Sequence, residues 1–349
     1  MLLYIHIPFC DSKCSYCAFN SYVDKFHLKR TYMKSLHIQL LYELKRFNVK
    51  EKEIESIFIG GGTPSTVEPE LYQAIFNTLE PYLGDNIEIT SEANPNSATA
   101  QWLEGMYKLG VNRISFGVQS FNKNKLKILN RAHSKEDAIL AIHTAKKVGY
   151  KNISLDLIYA TLGDTKELLL YDLDLAFKLP INHLSAYALT IEEGTVFQSK
   201  PYMSKETLET TEWFLKKISS KFPQYEISNF GTYKSSHNLA YWEYKDYIGL
   251  GCGAVGKLGL QRFYPTTNIE SYIKNPLDIR IEDLSKEDKK MEQIFLGLRS
   301  CIGINKNILN KNELEKAKLL VDEKKLSFKN DTFYNDNYLL SDEIALFIS

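Results

Sequence analysis

No excess of either charge marks this sequence. Its 43 lysines and arginines balance 43 aspartates and glutamates over 349 residues, so the formal net charge is zero. That balance leaves no electrostatic footprint for nucleic acid or for an anionic membrane surface. A membrane-spanning run is also missing at the start. Met1 to Phe9 is apolar, but it is broken by His6 and Pro8 and lacks a basic start and a cleavage site. It is also far shorter than the roughly 20 residues a span needs. Cysteine is scarce, five in the whole chain, which excludes the disulfide framework of a small secreted protein and favours a reducing compartment. The expectation is a cytoplasmic protein with no transmembrane segment. No short-period repeat is present, so a solenoid is excluded. What is there is core material: 44% hydrophobic against 25% charged residues, enough for one large domain and a smaller one.

Over the first 190 residues a short β-rich run repeatedly precedes a helical stretch. The candidate strands are Leu2–Ile7, Ser56–Gly60, Ile87–Ala93, Arg113–Gln119, Ile153–Tyr159 and His183–Leu189. Between the first two, Tyr32, Leu36, Leu40 and Leu44 recur every fourth residue and form one apolar helix stripe. Two later helical segments close at Gly110 and Gly149. Six βα units in succession predict an α/β fold, a parallel sheet with right-handed crossovers rolled into a partial (β/α)6-type barrel. After about residue 230 the rhythm changes to an aromatic, glycine-rich segment without period, then to a polar helical tail from Leu284. The chain therefore divides into a barrel core at 1–230 and a smaller, mainly helical C-terminal domain at 231–349. The tail has the outline of a winged helix, but its frequent acidic residues favour packing against the barrel over DNA binding.

The scarce cysteines are crowded: Cys10, Cys14 and Cys17 lie in "CDSKCSYC", spaced C-x3-C-x2-C. Three thiolates on one loop hold a soft metal. Zinc takes four ligands in a structural site, and no fourth cysteine follows locally, where Ala18 and Phe19 stand. An iron–sulfur cube held by three cysteines keeps one iron open to a small chelating ligand. Spacing alone leaves both readings standing. In a βα barrel, functional residues gather at the carboxyl ends of strands. The cysteine loop follows the first strand there, and "GGGTPS" (Gly60 to Ser65) follows the second. Glu92 ends the third, Gln119 the fourth, and Asp156 lies in the fifth. Each alone reads equally well as a tight turn or a satisfied polar core residue. Five successive strand ends bearing such groups do not.

Together, "YIHIPF" before the cysteines, "GGGTPS", "SEANP", "RISFGVQSFN" and "DLIY" resemble the radical S-adenosylmethionine proteins of the oxygen-independent coproporphyrinogen oxidase group, over roughly the first 240 residues. The resemblance implies a 4Fe-4S cluster on Cys10, Cys14 and Cys17, with S-adenosylmethionine chelating the open iron. It implies Tyr4 and Tyr16 beside that cofactor, and Gly61, Gly62 and Thr63 at its methionyl end. Glu92 would take its amino group, with Gln119, Arg131 and Asp156 around its carboxylate and ribose. These pairings are chemically sensible, carboxylate for ammonium and guanidinium for carboxylate. One departure stands out. After the fifth strand the group has a Gly-Leu-Pro turn and a Gln-Thr pair, whereas this chain reads "ATLGDT" (Ala160 to Thr165), so no contacts are carried onto that loop.

Two branches of the group fit. The decarboxylating oxidase, which converts coproporphyrinogen III to protoporphyrinogen IX, has a longer arm before the cluster and a further cysteine two residues beyond the third. Here Tyr4 is nearly the first residue and position 19 is Phe19. The HemW-like heme chaperones carry a His-Asn-x-x-Tyr-Trp motif, which this chain matches at His237-Asn238-Leu239-Ala240-Tyr241-Trp242. The resemblance thus implies a heme chaperone binding heme, a 4Fe-4S cluster and S-adenosylmethionine, with the oxidase as the alternative. His237 is the candidate heme ligand, since imidazole serves as an axial ligand and aromatic side chains bury a flat ring. A lone histidine in an aromatic segment reads as well as hydrogen-bonded structure. Cys252 is a second soft ligand close in sequence, and Cys301 has no role. The implied partners are heme, a heme-recipient protein and an electron donor. A membrane-bound recipient and a homodimer stay open.

Overall fold

The computed structural model describes the whole chain, residues 1–349. All six strands expected of the barrel form, and they pair in parallel in chain order: β1 (Leu2–Ile7), β2 (Ile54–Gly61), β3 (Leu83–Ala93), β4 (Arg113–Gln119), β5 (Asn152–Tyr159) and β6 (His183–Ala188). Their pleat explains the division of labour. Successive strand residues point to opposite faces, so Leu3, Ile5 and Ile7 enter the main core with Leu36, Leu40 and Leu44 of the helix Lys29–Arg46. The alternate residues, among them Tyr4, Ser115, Gly117, Gln119 and Asp156, reach the barrel interior and its mouth. The helix Lys135–Val148 shows how sharply the crossovers are punctuated. Ser134 and Asp137 form a capping box at its start, and Gly149 ends it at φ 122°.

The sheet does not break at residue 230. The strand β7 (Asn229–Gly231) adds antiparallel to β6. On the opposite side β8 (Tyr247–Leu250) pairs in parallel with β1, followed by antiparallel β9 (Gly256–Leu258), β10 (Gln261–Pro265) and β11 (Ile279–Asp283), giving one sheet of 11 strands. The sheet therefore continues past the boundary expected near 230, with strands between 247 and 283 joined to it. Glycine concealed this in the sequence. At Gly249 a Cβ would lie 2.0 Å from the Val255 carbonyl oxygen, so the tight β8–β9 turn requires glycine where a strand would otherwise show an apolar residue.

A second core begins only at Ile294. It joins Ile294 and Leu298 of the helix Lys286–Leu298 to Leu320, Phe333 and Ile348. Around it stand the helices Lys311–Asp322 and Ser341–Ile348 and a small antiparallel sheet of β12 (Ile304–Asn305), β13 (Leu326–Lys329) and β14 (Thr332–Asn335). The order helix, strand, helix, hairpin is that of a winged helix. No helix in the chain is long and apolar enough to cross a membrane.

Candidate functional site

The first cavity, about 560 Å³, opens at the carboxyl ends of the parallel strands. Cys10, Cys14 and Cys17 line it together with Tyr16, Gly61, Gly62, Thr63, Glu92, Gln119, Arg131 and Asp156. All five cysteines are free. Two of the loop's sulfurs already have weak donors: Thr63 Oγ1 lies 3.4 Å from Cys10 Sγ, and Arg131 Nη1 lies 3.3 Å from Cys14 Sγ. Burial raises the Cys10 and Cys17 thiols above their ordinary pKa. No three His, Cys, Asp or Glu side chains converge on one point where a single ion would sit. The three thiols stand as separate donors around one cavity.

The glycine triplet has a packing reason as well as a ligand-facing one. Gly61 adopts φ +112°, and a Cβ there would come within 2.5 Å of the His6 ring. One on Gly62 would meet the Phe9 and Ile7 carbonyl oxygens at 2.8 and 2.9 Å. The loop thus lies directly on the chain that leads into the cysteines. Arg131 is not a free helix-end arginine. Its Nη2 donates to Asn94 Oδ1 at 2.7 Å and to the Gly117 carbonyl, which pins the guanidinium over the cavity. Asn94 in turn donates to Thr63 Oγ1 at 3.1 Å. Glu92 accepts from the Gly61 N–H at 3.1 Å. Burial, and then the neighbouring Asp156, push its carboxyl up to about 7. Asp156 is raised too, chiefly by burial. Two buried neighbouring carboxyls, both with raised pKa, suit a ligand that brings its own positive charge.

A second cavity, about 650 Å³, lies between Tyr4 of β1, Phe58 of β2, the strands β8 to β10 and the helices Ser236–Trp242 and Lys286–Leu298. Its walls are aromatic, with Tyr4, Phe58, Tyr241, Tyr244, Tyr247 and Phe295, and its edge carries Lys245, Lys257, Arg262, Arg299 and Glu292. His237 projects into this wall from the helix Ser236–Trp242. Its ring lies tilted at 5.3 Å from Phe58 and edge-on at 4.7 Å from Tyr241. Nδ1 lies 2.8 Å from Ser56 Oγ, while Nε2 is buried without any partner. Burial lowers the imidazole pKa to about 4, so the ring is neutral at physiological pH. The helix is held from beneath by Glu88 of β3, whose two oxygens accept from Tyr233 Oη, Ser235 Oγ and the backbone N–H groups of Ser236 and His237 at 2.6, 3.1, 2.9 and 3.1 Å.

Of the residues expected around the first cavity, Tyr4 alone is absent from its lining. It stands in the wall of the second cavity beside Phe58, with its hydroxyl 3.0 Å from His6 Nδ1. Among the residues that line the first cavity and were not singled out from the sequence are Asn94, Ser115, Gly117 and Tyr187. Cys252 is buried beside Asn20 and Tyr32 and does not reach the second cavity, and Cys301 lies 3.7 Å from Lys234 Nζ. The unusual "ATLGDT" loop is tied down by a buried ion pair, Lys125 Nζ to Asp164 at 2.7 and 3.0 Å, and by the Thr161 N–H donating to Asp164 at 2.8 Å.

Residues 4–176 match the Radical SAM superfamily. The chain is 36% identical over 308 residues to the heme chaperone HemW of Haemophilus influenzae, covering 83% of this chain and 80% of that one. It is 33% identical over 325 residues to the heme chaperone HemW of Bacillus subtilis, covering 87% and 84%. Among solved structures, the coproporphyrinogen III oxidase HemN of Escherichia coli, a radical SAM enzyme, superimposes with a TM-score of 0.81. The match spans 99% of this chain and 89% of that one at 18% identity, a likeness of fold.

Proposed function

This chain belongs to the HemW family of radical S-adenosylmethionine proteins, and from that premise we propose that it is a heme chaperone, which binds heme and hands it to a recipient protein. The observation that carries the reading is the unpartnered, buried Nε2 of His237 in an aromatic cavity. A buried ring nitrogen without a partner is costly, and an axial ligand to iron is one way to satisfy it. The tyrosines and phenylalanines around it offer a flat ring apolar area, and the lysines and arginines at the edge suit carboxylates. Heme is cargo here. Its delivery belongs in the reducing cytoplasm, to a recipient protein.

The donor set of the first cavity fits a 4Fe-4S cluster: three free, separate thiols, with no fourth cysteine in the lining. Cys10, Cys14 and Cys17 would hold it, and when bound it would supply one iron open to S-adenosylmethionine and a site for one electron from a donor protein. Around that position the chain's own groups have distinct tasks. Glu92 offers a carboxylate to an ammonium, Arg131 offers its guanidinium to a carboxylate, and Gly61, Gly62 and Thr63 leave room for a close-lying chain. Gln119, Asp156 and Tyr16 complete the walls.

Glu92 gives this reading a pH signature. With its carboxyl at about 7, binding an ammonium below that pH requires a proton to leave. Affinity for S-adenosylmethionine should therefore rise with pH, by up to about tenfold per unit, and level off above pH 7. Isothermal titration across pH 5.5–8.5 checks it. Glu92→Gln should give a flat profile and binding weaker by about 2 kcal/mol.

The heme reading is tested on anaerobically reconstituted protein. A stable hemin adduct is expected, and His237→Ala should weaken it by at least about tenfold, since loss of even an outer partner of a metal ligand costs that much. Multiple-turnover decarboxylation of coproporphyrinogen III by the same sample would overturn the chaperone reading in favour of the oxidase.

A further inference from the structure

The nitrogen of His237 that faces away from the cavity meets a hydroxyl, and that choice of partner has chemical consequences. Ser56 Oγ stands 2.8 Å from Nδ1 and has no other hydrogen-bond partner, and Ser56 is 1% exposed. A serine hydroxyl both donates and accepts. In the ligand-free protein its hydrogen has only Nδ1 to go to. A hydroxyl that donates to Nδ1 places the ring proton on Nε2, the nitrogen without a partner in the second cavity. A metal-binding Nε2 needs the opposite tautomer. One proton leaves Nε2 for solvent, one arrives at Nδ1, and the hydroxyl rotates to accept it, with no net change in protonation. When the metal leaves, the sequence reverses.

A stronger partner was within reach. Glu88 is the residue directly opposite Ser56 in the β2–β3 register. Both its oxygens are engaged by Tyr233, Ser235 and the first backbone N–H groups of the His237 helix, so the carboxylate steadies the helix and is kept off the ring. A carboxylate on Nδ1 would hold the proton there permanently and make Nε2 a more basic, tighter ligand. We propose that Ser56 is a positioning residue for His237: its two-way hydroxyl keeps the imidazole a moderate axial ligand, so that heme is held firmly enough to carry and weakly enough to release. This rests on heme binding at His237 and goes beyond it by assigning the control of release.

The test uses the full chain loaded with hemin, an excess of an apo-globin as acceptor, the Soret position, and thermal melting of each variant as a folding control. Ser56→Ala should lower hemin affinity about tenfold, speed transfer correspondingly, and shift the Soret band. Ser56→Thr, which keeps the hydroxyl, should restore wild-type behaviour. Ser56→Asp should do the reverse of alanine and slow transfer about tenfold or more, a change that mere damage to the barrel would not produce. If Ser56→Ala leaves affinity, transfer rate and Soret band unchanged while His237→Ala weakens binding, the role of Ser56 is overturned and the heme site stands. Threonine behaving like alanine in a normally melting protein would overturn it as well, by pointing to packing. If His237→Ala also changes nothing, the heme reading and this one fall together.

Discussion

Glu88→Ala should destabilise the protein by about 3–5 kcal/mol, the cost of removing one partner from a buried charge network. Against a total stability of roughly 5–15 kcal/mol this is a large single-residue loss. The reason lies in what Glu88 faces. It is 4% exposed, and Arg113, at 2% exposure, shares the barrel interior with it. Burial alone would raise the Glu88 pKa. Arg113 and the hydrogen bonds from Tyr233, Ser236 and His237 outweigh burial and hold the carboxyl below its ordinary value, so it is ionised. Alanine would leave the guanidinium without its ionised neighbour and remove the acceptor of five donors at once, Thr90 Oγ1 among them. Glutamine would fare little better, because its amide group would point N–H at N–H. By linkage, a carboxyl with a lowered pKa contributes stability above its unfolded value that is lost as pH falls through the folded one. The Glu88 variants should therefore differ most from wild type at neutral pH and converge with it in acid. Thermal melts at pH 7 and pH 4 check both magnitude and trend. Equal destabilisation at the two pH values would show that packing dominates over charge.

Glu88 also marks where sequence reading stops. Cys10, Cys14 and Cys17 were legible because their chemistry is local, three thiols on one short loop. Glu92 and Gln119 were legible because a parallel barrel gathers strand ends, so order along the chain becomes proximity in space. Within β4 the same logic extended one step further than it was taken. Ser115 and Gly117 stand four and two residues before Gln119 and share its inward face. Asn94, two residues past Glu92, was available by the same reasoning. Tyr4 falls outside the first cavity's lining for a different reason. Alternation says that it points inward, but not at what depth, and the neighbouring Phe58 turns that part of the barrel into a separate cavity. The partners of His237 carried no signal at all. Ser56 lies 181 residues from it and Glu88 149 residues, joined only by the closure of the barrel. The helical tail was readable in kind, but the strands β8 to β11 before it were not, since their glycines obey a tight turn and not an apolar period.

The two cavities share no lining residue, and that separation sets the second large effect. Cys14→Ser should abolish the cluster, with iron and sulfide falling to background after anaerobic reconstitution, because a serine hydroxyl is a poor substitute for a thiolate. Cys14 is the most informative of the three, since its sulfur is the one bonded to Arg131, which Asn94 and Gly117 hold in turn. Its loss should remove tight S-adenosylmethionine binding along with the iron. Cys252→Ser is the internal control. That sulfur is buried beside Asn20 and outside the cavity, so cluster content should be unchanged. Hemin binding should also survive Cys14→Ser within about twofold, well under the tenfold that loss of a ligand's own partner costs, because His237, Phe58 and Tyr241 do not touch the cysteine loop. Three outcomes can be told apart in one set of samples. Stoichiometric zinc without sulfide would end the cluster reading. Full cluster content in Cys14→Ser would remove that residue from the ligand set. Joint loss of cluster and hemin binding would mean that Tyr4, hydrogen-bonded through His6 to the carbonyl of Asn20, links the two cavities more tightly than their separation suggests.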